Sequence, residues 1–460
     1  MSQLNADKLK NDPRVQKAKE LLLEALNDAK SEIKSAKDPN EDLKEHFQEL
    51  VQRCGKARGA NIYYPYLGSG IGNGALVELA DGSIKYDFIT GIGVHYFGHS
   101  DERIVESGID AALCDTVMQG HLQQNVDQMH LMETFLELAQ KNGSSLAHCF
   151  LTSTGATANE NALKMIFQKN YPANRMLAFK KCFAGRTMAL AQMTDKALYR
   201  DGLPVAMEVD YLPFYDCTDH EGSIKRAVDT LKSHIERFPK SYAGMCMELI
   251  QGEGGYFPGN REFFVEIFKV IKENNIAVWI DEVQSFGRTT EPFAFQHFKL
   301  DEYVDLVTVG KMSQVCATFF TENFKPRPGL ISQTFTSSTS AIHASQVTLD
   351  AMKEGLFGED GRVMQLHNKF VSEIESLNKK YPMQFTGPYG LGGMVAFTVF
   401  DGDLSKTKEF TNKLFENGVI SFIAGKNPTR VRFLMPVMAI NENDIAEVAK
   451  IIDTTMQTMA

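Results

Sequence analysis

The feature that most constrains this chain is the alternation of strand-like and helix-like segments between about residues 100 and 340. Apolar or β-branched runs occur at 146–151, 175–181, 206–212, 243–250, 277–283, 306–310 and 317–321. Between them lie helix-patterned segments, including 128–141, 157–170, 222–237 and 261–274. Such alternation specifies a mainly parallel sheet covered by helices on both faces. Parallel strands are buried on both sides, which is why these runs are continuously apolar rather than alternating.

Ligands of open α/β sheets collect at the C-terminal ends of the strands. Two of the runs carry an ionisable residue there. Ala277-Val278-Trp279-Ile280 leads into Asp281, and Leu306-Val307-Thr308-Val309 leads through Gly310 to Lys311. Singly, an Asp at a strand end serves as a turn or capping residue, and a Lys as a solvated one. Together they suit pyridoxal phosphate, whose aldehyde condenses with a lysine and whose pyridinium nitrogen takes a carboxylate.

Four further motifs bear on this reading. Thr152-Ser153-Thr154-Gly155-Ala156-Thr157 enters a helix pattern, and small residues at a helix start leave N–H groups open to a phosphate, although they also describe an ordinary cap. Cys182-Phe183-Ala184-Gly185-Arg186-Thr187 offers an aromatic face and a carboxylate clamp, or a core Phe and a surface Arg. Glu248-Leu249-Ile250-Gln251-Gly252-Glu253-Gly254-Gly255 reads as a ligand-facing loop or a plain turn. Arg430-Val431-Arg432-Phe433-Leu434-Met435-Pro436 puts both arginines on one face of a strand.

The rest of the chain sets the frame. Residues 1–60 form a Lys/Glu/Ala/Leu-rich helical extension broken at Asp38-Pro39-Asn40. Gly68, Gly70, Gly72 and Gly74 read as a flexible approach to a substrate mouth or a loop. Ala75–Leu79 and Ile84–Phe88 flank Asp81-Gly82 as a β-hairpin. The expected division is 1–60 extension, 61–100 N-terminal part of a small domain, 101–340 large domain and 341–460 a C-terminal α+β small domain. The formal charge of −10, with no basic run, excludes nucleic acid and anionic membrane surfaces as expected partners. No apolar stretch approaches a membrane span, and the polar N-terminus does not read as a secretory signal. Seven scattered cysteines without C-x-x-C point to reduced thiols in a cytoplasmic protein, with no zinc framework and no metal expected.

Taken in order, S-T-G-A-T-A-N-E-N-A-L-K, F-A-G-R-T, Q-G-E-G-G, I-D-E-V-Q, V-G-K and V-R-F-x-x-P resemble the class III aminotransferases over roughly residues 60–455. The closest subgroup looks like the lysine 6-aminotransferases and 4-aminobutyrate aminotransferases, on the segments 310–316 and 322–326. The resemblance implies fold type I, with a large domain built on a mainly parallel seven-stranded sheet. It implies pyridoxal 5'-phosphate held by a Schiff base on Lys311, which then acts as general acid/base. Asp281 would meet the ring nitrogen, Phe183 and Val283 would sandwich the ring, and Gln284 would hydrogen-bond the ring oxygen. Gly155 and Ala156 would cradle the phosphate, and Thr334 would reach the phosphate of a partner subunit in an obligate homodimer. Arg186 and Arg432 match carboxylate binders, and Glu253 matches the acid that neutralises the C-terminal arginine while an ω-amine is bound. The implied reaction is ping-pong transfer of an ω-amino group from a lysine, ornithine, acetylornithine or 4-aminobutyrate type donor to 2-oxoglutarate. An aminomutase, racemase or decarboxylase on the same fold is the alternative, and a non-catalytic binding protein a third. Ala184, Leu249 and Thr336-Ser337-Ser338-Thr339 depart from the family pattern.

Overall fold

The computed structural model describes residues 4–353 and 355–459 and divides them into two compact units. The large unit comprises Thr116–Met364 and Gly390–Gly392. Its centre is a seven-stranded sheet of β1 (Leu146–Thr152), β2 (Arg175–Phe179), β3 (Glu208–Leu212), β4 (Tyr242–Met247), β5 (Ala277–Asp281), β6 (Leu306–Val309) and β7 (Cys316–Thr321). All seven coincide with the apolar runs read from the sequence. Their spatial order is β1-β7-β6-β5-β4-β2-β3. β3, β2, β4, β5 and β6 are mutually parallel, while β7 runs antiparallel to both β6 and β1. β1 therefore ends at the same edge as β6.

The strands form here because both faces exclude water. Val278, Trp279, Ile280, Leu306, Val307 and Val309 are fully buried. The single polar atom of Trp279, the indole N–H, donates to Thr308 Oγ1 at 3.1 Å, so its burial leaves nothing unsatisfied. Helix α1 (Gly155–Lys169) follows β1, and α2 (His220–Arg237) and α3 (Arg261–Glu273) follow β3 and β4. Thr154, Asp219 and Asn260 cap them by accepting backbone N–H groups. α3 buries Phe263, Phe264, Ile267, Phe268 and Ile271 at helical spacing. Each such side chain contributes about 1.5–3 kcal/mol over an exposed one.

The small unit joins the chain up to Asp115 with Gln365–Tyr389 and the segment from Gly393 onward. The hairpin expected from sequence forms, with Leu76–Leu79 antiparallel to Ile84–Asp87, and Val419–Ile420 adds to it in parallel. The N-terminal segment forms helices at Asn5–Lys10, Pro13–Lys30 and Glu41–Arg58, the last capped by Asn40 at the break read from sequence. Lys19, buried, ties the second of these to the helix Glu102–Ala112 through Asp110 at 3.0 Å and Glu106 at 2.8 Å.

The glycine series is neither a loop nor a flexible approach. Gly68–Asn73 is a strand paired with Leu76–Leu79. At Gly72 a Cβ would stand 2.4 Å from the Leu76 carbonyl and 2.5 Å from His99 Cβ, so glycine serves close backbone approach there. No described helix is long and apolar enough to cross a membrane.

Candidate active site

The sheet brings the chemistry-bearing motifs to one edge. Asp281 ends β5 in register with Thr308 of β6, and Lys311 follows three residues later. Phe183 follows β2, Glu248 follows β4, and Thr154 with Gly155 follows β1.

Asp281 is 5% exposed. Its Oδ2 accepts from Asn159 Nδ2 at 2.7 Å and its Oδ1 from the Val283 N–H at 3.0 Å. Burial pushes the carboxyl up to about 6, against the pull of those two donors and of the nearby Lys311 ammonium. A buried acid held by donors on its flanks is suited to a cation that arrives from outside the fold. Asn159 also donates to the Ala184 carbonyl at 2.7 Å, while its own Oδ1 is buried with no hydrogen-bond partner.

The N-terminus of α1 supplies a second element. Thr154 Oγ1 accepts the Thr157 N–H at 3.0 Å, and Thr157 Oγ1 accepts the Thr154 N–H at 3.2 Å. This capping box closes the helix start but leaves the first-turn N–H groups of Gly155 and Ala156 beyond the reach of any intrahelical carbonyl. With the helix dipole they make an anion site. A Cβ on Gly155 would lie 3.0 Å from a Val283 methyl. A Cβ on Gly310 would meet Cys316 Sγ at 3.0 Å and Val283 at 3.3 Å, with Gly155 Cα at 3.7 Å. Glycines thus let the α1 start, Val283 and the Lys311 segment close on one another. Lys311 is half-buried with φ of +58°, a left-handed conformation that costs a non-glycine residue energy.

Phe183 is half-buried, with Tyr199 edge-on at 6.2 Å. Arg186 is exposed; its guanidinium donates to Tyr199 Oη at 3.0 Å and stacks on that ring at 4.3 Å. Glu253 occupies the tip of a hairpin formed by Ile250–Gln251 and Phe257–Pro258, and the Gly255 N–H donates back to the Gly252 carbonyl. Gln284 Nε2 donates to Glu253 Oε1 at 3.3 Å. A Cβ on Gly252 would overlap the Gln284 amide at 2.4 Å, so this glycine is what admits the contact.

Thr334 is exposed, in a segment whose Gln333 accepts from Thr152 Oγ1 at 2.7 Å, at the end of β1. Arg432 belongs to the small unit. It lies fully buried in the strand Arg430–Leu434, 5.5 Å over the Phe422 ring, and Arg430 stacks on Tyr389 at 3.5 Å. The structure also brings Asn159, Glu248 and Tyr199 into this constellation; Glu248 lies in the loop read as ligand-facing but had no role of its own there, and Asn159 and Tyr199 had none.

The class III aminotransferase model matches residues 67–456. The chain belongs to the class III aminotransferase family. Among curated aminotransferases, it is 26% identical to the acetylornithine aminotransferase of Methanocaldococcus jannaschii over 388 residues, covering 81% of this chain and 89% of that protein. It is 28% identical over 400 residues to a probable 4-aminobutyrate aminotransferase of Bacillus subtilis, covering 80% and 88%. Its fold is similar to the lysine aminotransferase of M. tuberculosis, with a TM-score of 0.76 at 22% identity over 89% of this chain and all of that one. The ornithine aminotransferase of Toxoplasma gondii gives 0.75 at 21% identity, over 89% and 95%. The fold of this aminotransferase is therefore the fold type I architecture.

Proposed function

We propose that this class III aminotransferase binds pyridoxal 5'-phosphate at the β5–β6 edge and moves an ω-amino group from an amino acid donor to 2-oxoglutarate in two half-reactions. The observation that carries the reading is the pairing of a buried Asp281 with Lys311 beside the open start of α1. These residues fit the cofactor's parts: a buried acceptor for a ring N–H, an amine for the aldehyde, and a helix N-terminus for the phosphate. When bound, the cofactor supplies an electrophilic carbon and an electron-withdrawing ring.

The protein's part is to bind, orient and move protons. Asp281, held by Asn159 and Val283 N–H, keeps a negative charge where the ring nitrogen stays protonated. Gly155 and Ala156 N–H groups take the phosphate. Val283 and Phe183 would hold the ring between them, and Gln284 would hydrogen-bond its oxygen. Lys311 Nζ would hold the cofactor's aldehyde and would serve as the general acid/base that moves a proton at the donor's amine-bearing carbon. Arg186 and Arg432 are proposed to hold substrate carboxylates, and Glu253 to offset an arginine while the ω-amine is bound. The names of the curated relatives support acetylornithine and 4-aminobutyrate type donors.

A homodimer completes this reading, with Thr334 given to the partner's phosphate. Leu122 at 99%, Val126 at 58% and Phe335 at 56% exposure give the large unit apolar surface near Thr334 that suits a second copy. Sedimentation equilibrium tests the dimer. The function is tested by the absorbance of purified protein with a panel of amino donors. A Schiff-base band that one ω-amine discharges and 2-oxoglutarate restores is the expected result. A band that no donor discharges overturns amino transfer in favour of an isomerase or decarboxylase, and no band with added pyridoxal phosphate overturns the cofactor assignment.

A further inference from the structure

Glu248 stands immediately after β4, is 7% exposed, and has no role in the reading above. Its two carboxyl oxygens accept from different loops. Oε1 takes the Phe183 N–H at 2.9 Å and Oε2 takes the Gly252 N–H at 2.9 Å. The next residues repeat the join. Gln251 Nε2 donates to the Lys180 carbonyl at 2.7 Å, and Gly254 lies so close to the Lys181 carbonyl that a Cβ would stand 2.8 Å from it. The turn after β2 and the hairpin after β4 are thus held together by one buried carboxyl group and one amide. The first loop carries Phe183, and the second carries Glu253 at its tip. Burial and the Asp281 charge push the Glu248 carboxyl up to about 8, so the brace sits in a site poor in solvent, where each N–H···O bond counts more than in water.

We infer that Glu248 is a positioning residue, fixing the Phe183 ring and the Glu253 carboxylate relative to each other through the two N–H groups it accepts. This deepens the proposed function and rests on it. The family resemblance singles out Glu253, whereas Glu248 acts through the backbone of two loops.

Glu248→Gln keeps size and shape but turns one acceptor into a donor, which then opposes a backbone N–H. The chain has one tryptophan, Trp279 in β5, two residues before Asp281. Its emission reports binding when pyridoxal phosphate is titrated into cofactor-free protein. For Glu248→Gln we expect about 10-fold weaker binding, a reduced visible circular-dichroism band from the bound cofactor, and kcat falling about 10-fold or more with KM for the donor also raised, while the melting temperature shifts by only a few degrees. Gln251→Leu, which cuts the bond to the Lys180 carbonyl, should show the same pattern more weakly, and it carries the test if Glu248→Gln does not fold. Wild-type dichroism and kinetics per bound cofactor in a variant that binds normally overturn the inference alone. A wild-type protein that neither quenches nor develops the band overturns the cofactor reading and this inference with it.

Discussion

Replacing Asn159 by alanine removes the side-chain donor that holds Asp281 at the proposed cofactor site. The side chain makes two 2.7 Å hydrogen bonds from one nitrogen, to Asp281 Oδ2 and to the Ala184 carbonyl. Losing a bond to a charged acceptor costs about 1.5–3 kcal/mol, and leaving the Ala184 carbonyl buried without this donor about 1–3 kcal/mol. Removing the partnerless Asn159 Oδ1 returns about 1–3 kcal/mol. The net loss is roughly 2–3 kcal/mol, which lowers the melting temperature of a unit this size by about 5–10 °C. A second consequence is chemical. Asn159 favours the ionised form of Asp281, so without it the carboxyl moves further up from about 6 and more of it is protonated near neutral pH. A neutral acid binds a pyridinium less well. Cofactor affinity, read from Trp279 quenching, should therefore be weaker in Asn159→Ala at pH 6.5, and the gap to wild type should narrow by pH 9 as Asp281 ionises. The Schiff-base equilibrium changes with pH in both proteins and cancels in the ratio. A gap of equal size at both pH values refutes the argument that Asn159 acts through the charge of Asp281.

Three other outcomes follow from the same geometry. Gly155→Val drives methyls into the start of α1, where even a Cβ stands 3.0 Å from Val283, and should weaken pyridoxal phosphate binding by about 100-fold with the fold retained, by the same quenching titration. Lys311→Ala should lose about 1,000-fold or more in kcat together with the Schiff-base band, and full turnover by that variant would sink its role as acid/base. The cofactor-free protein should grow less stable as pH rises from about 5 to 8. Asp281 is pushed up to about 6 and Glu248 and Glu282 to about 8, each by burial first. Through that window the native state holds more protons than the unfolded chain, so unfolding free energy falls with pH. A melting temperature that climbs steadily from pH 5 to 8 contradicts this.

The strands were legible because burial on both faces leaves a local trace, an unbroken apolar run such as Ala277–Ile280, that needs no partner to be read. The placement of Asp281 and Lys311 was legible for a related reason: each follows such a run at its C-terminal end, where a parallel sheet opens. The Gly68–Asn73 strand was misread because alternate glycines carry no apolar signal, and their reason, the approach of Leu76 and His99, lies in paired backbone rather than in the segment itself. Asn159 and Glu248 were hidden by distance along the chain. Asn159 meets a residue 122 positions away, and Glu248 one 65 positions away. Nothing in E-L-I-Q-G-E says which acid faces outward until the register of β2 on β4 is known. Ala178 pairs with Cys246. That register carries both strands out at the same edge, so the turn holding Phe183 lies beside Glu248, and the N–H of Phe183 is the donor within its reach. Residues that touch a ligand are exposed to motif reading because the ligand's chemistry limits what they can be. Residues that hold them in place are limited by backbone groups from another strand, and only the sheet order reveals which strand that is.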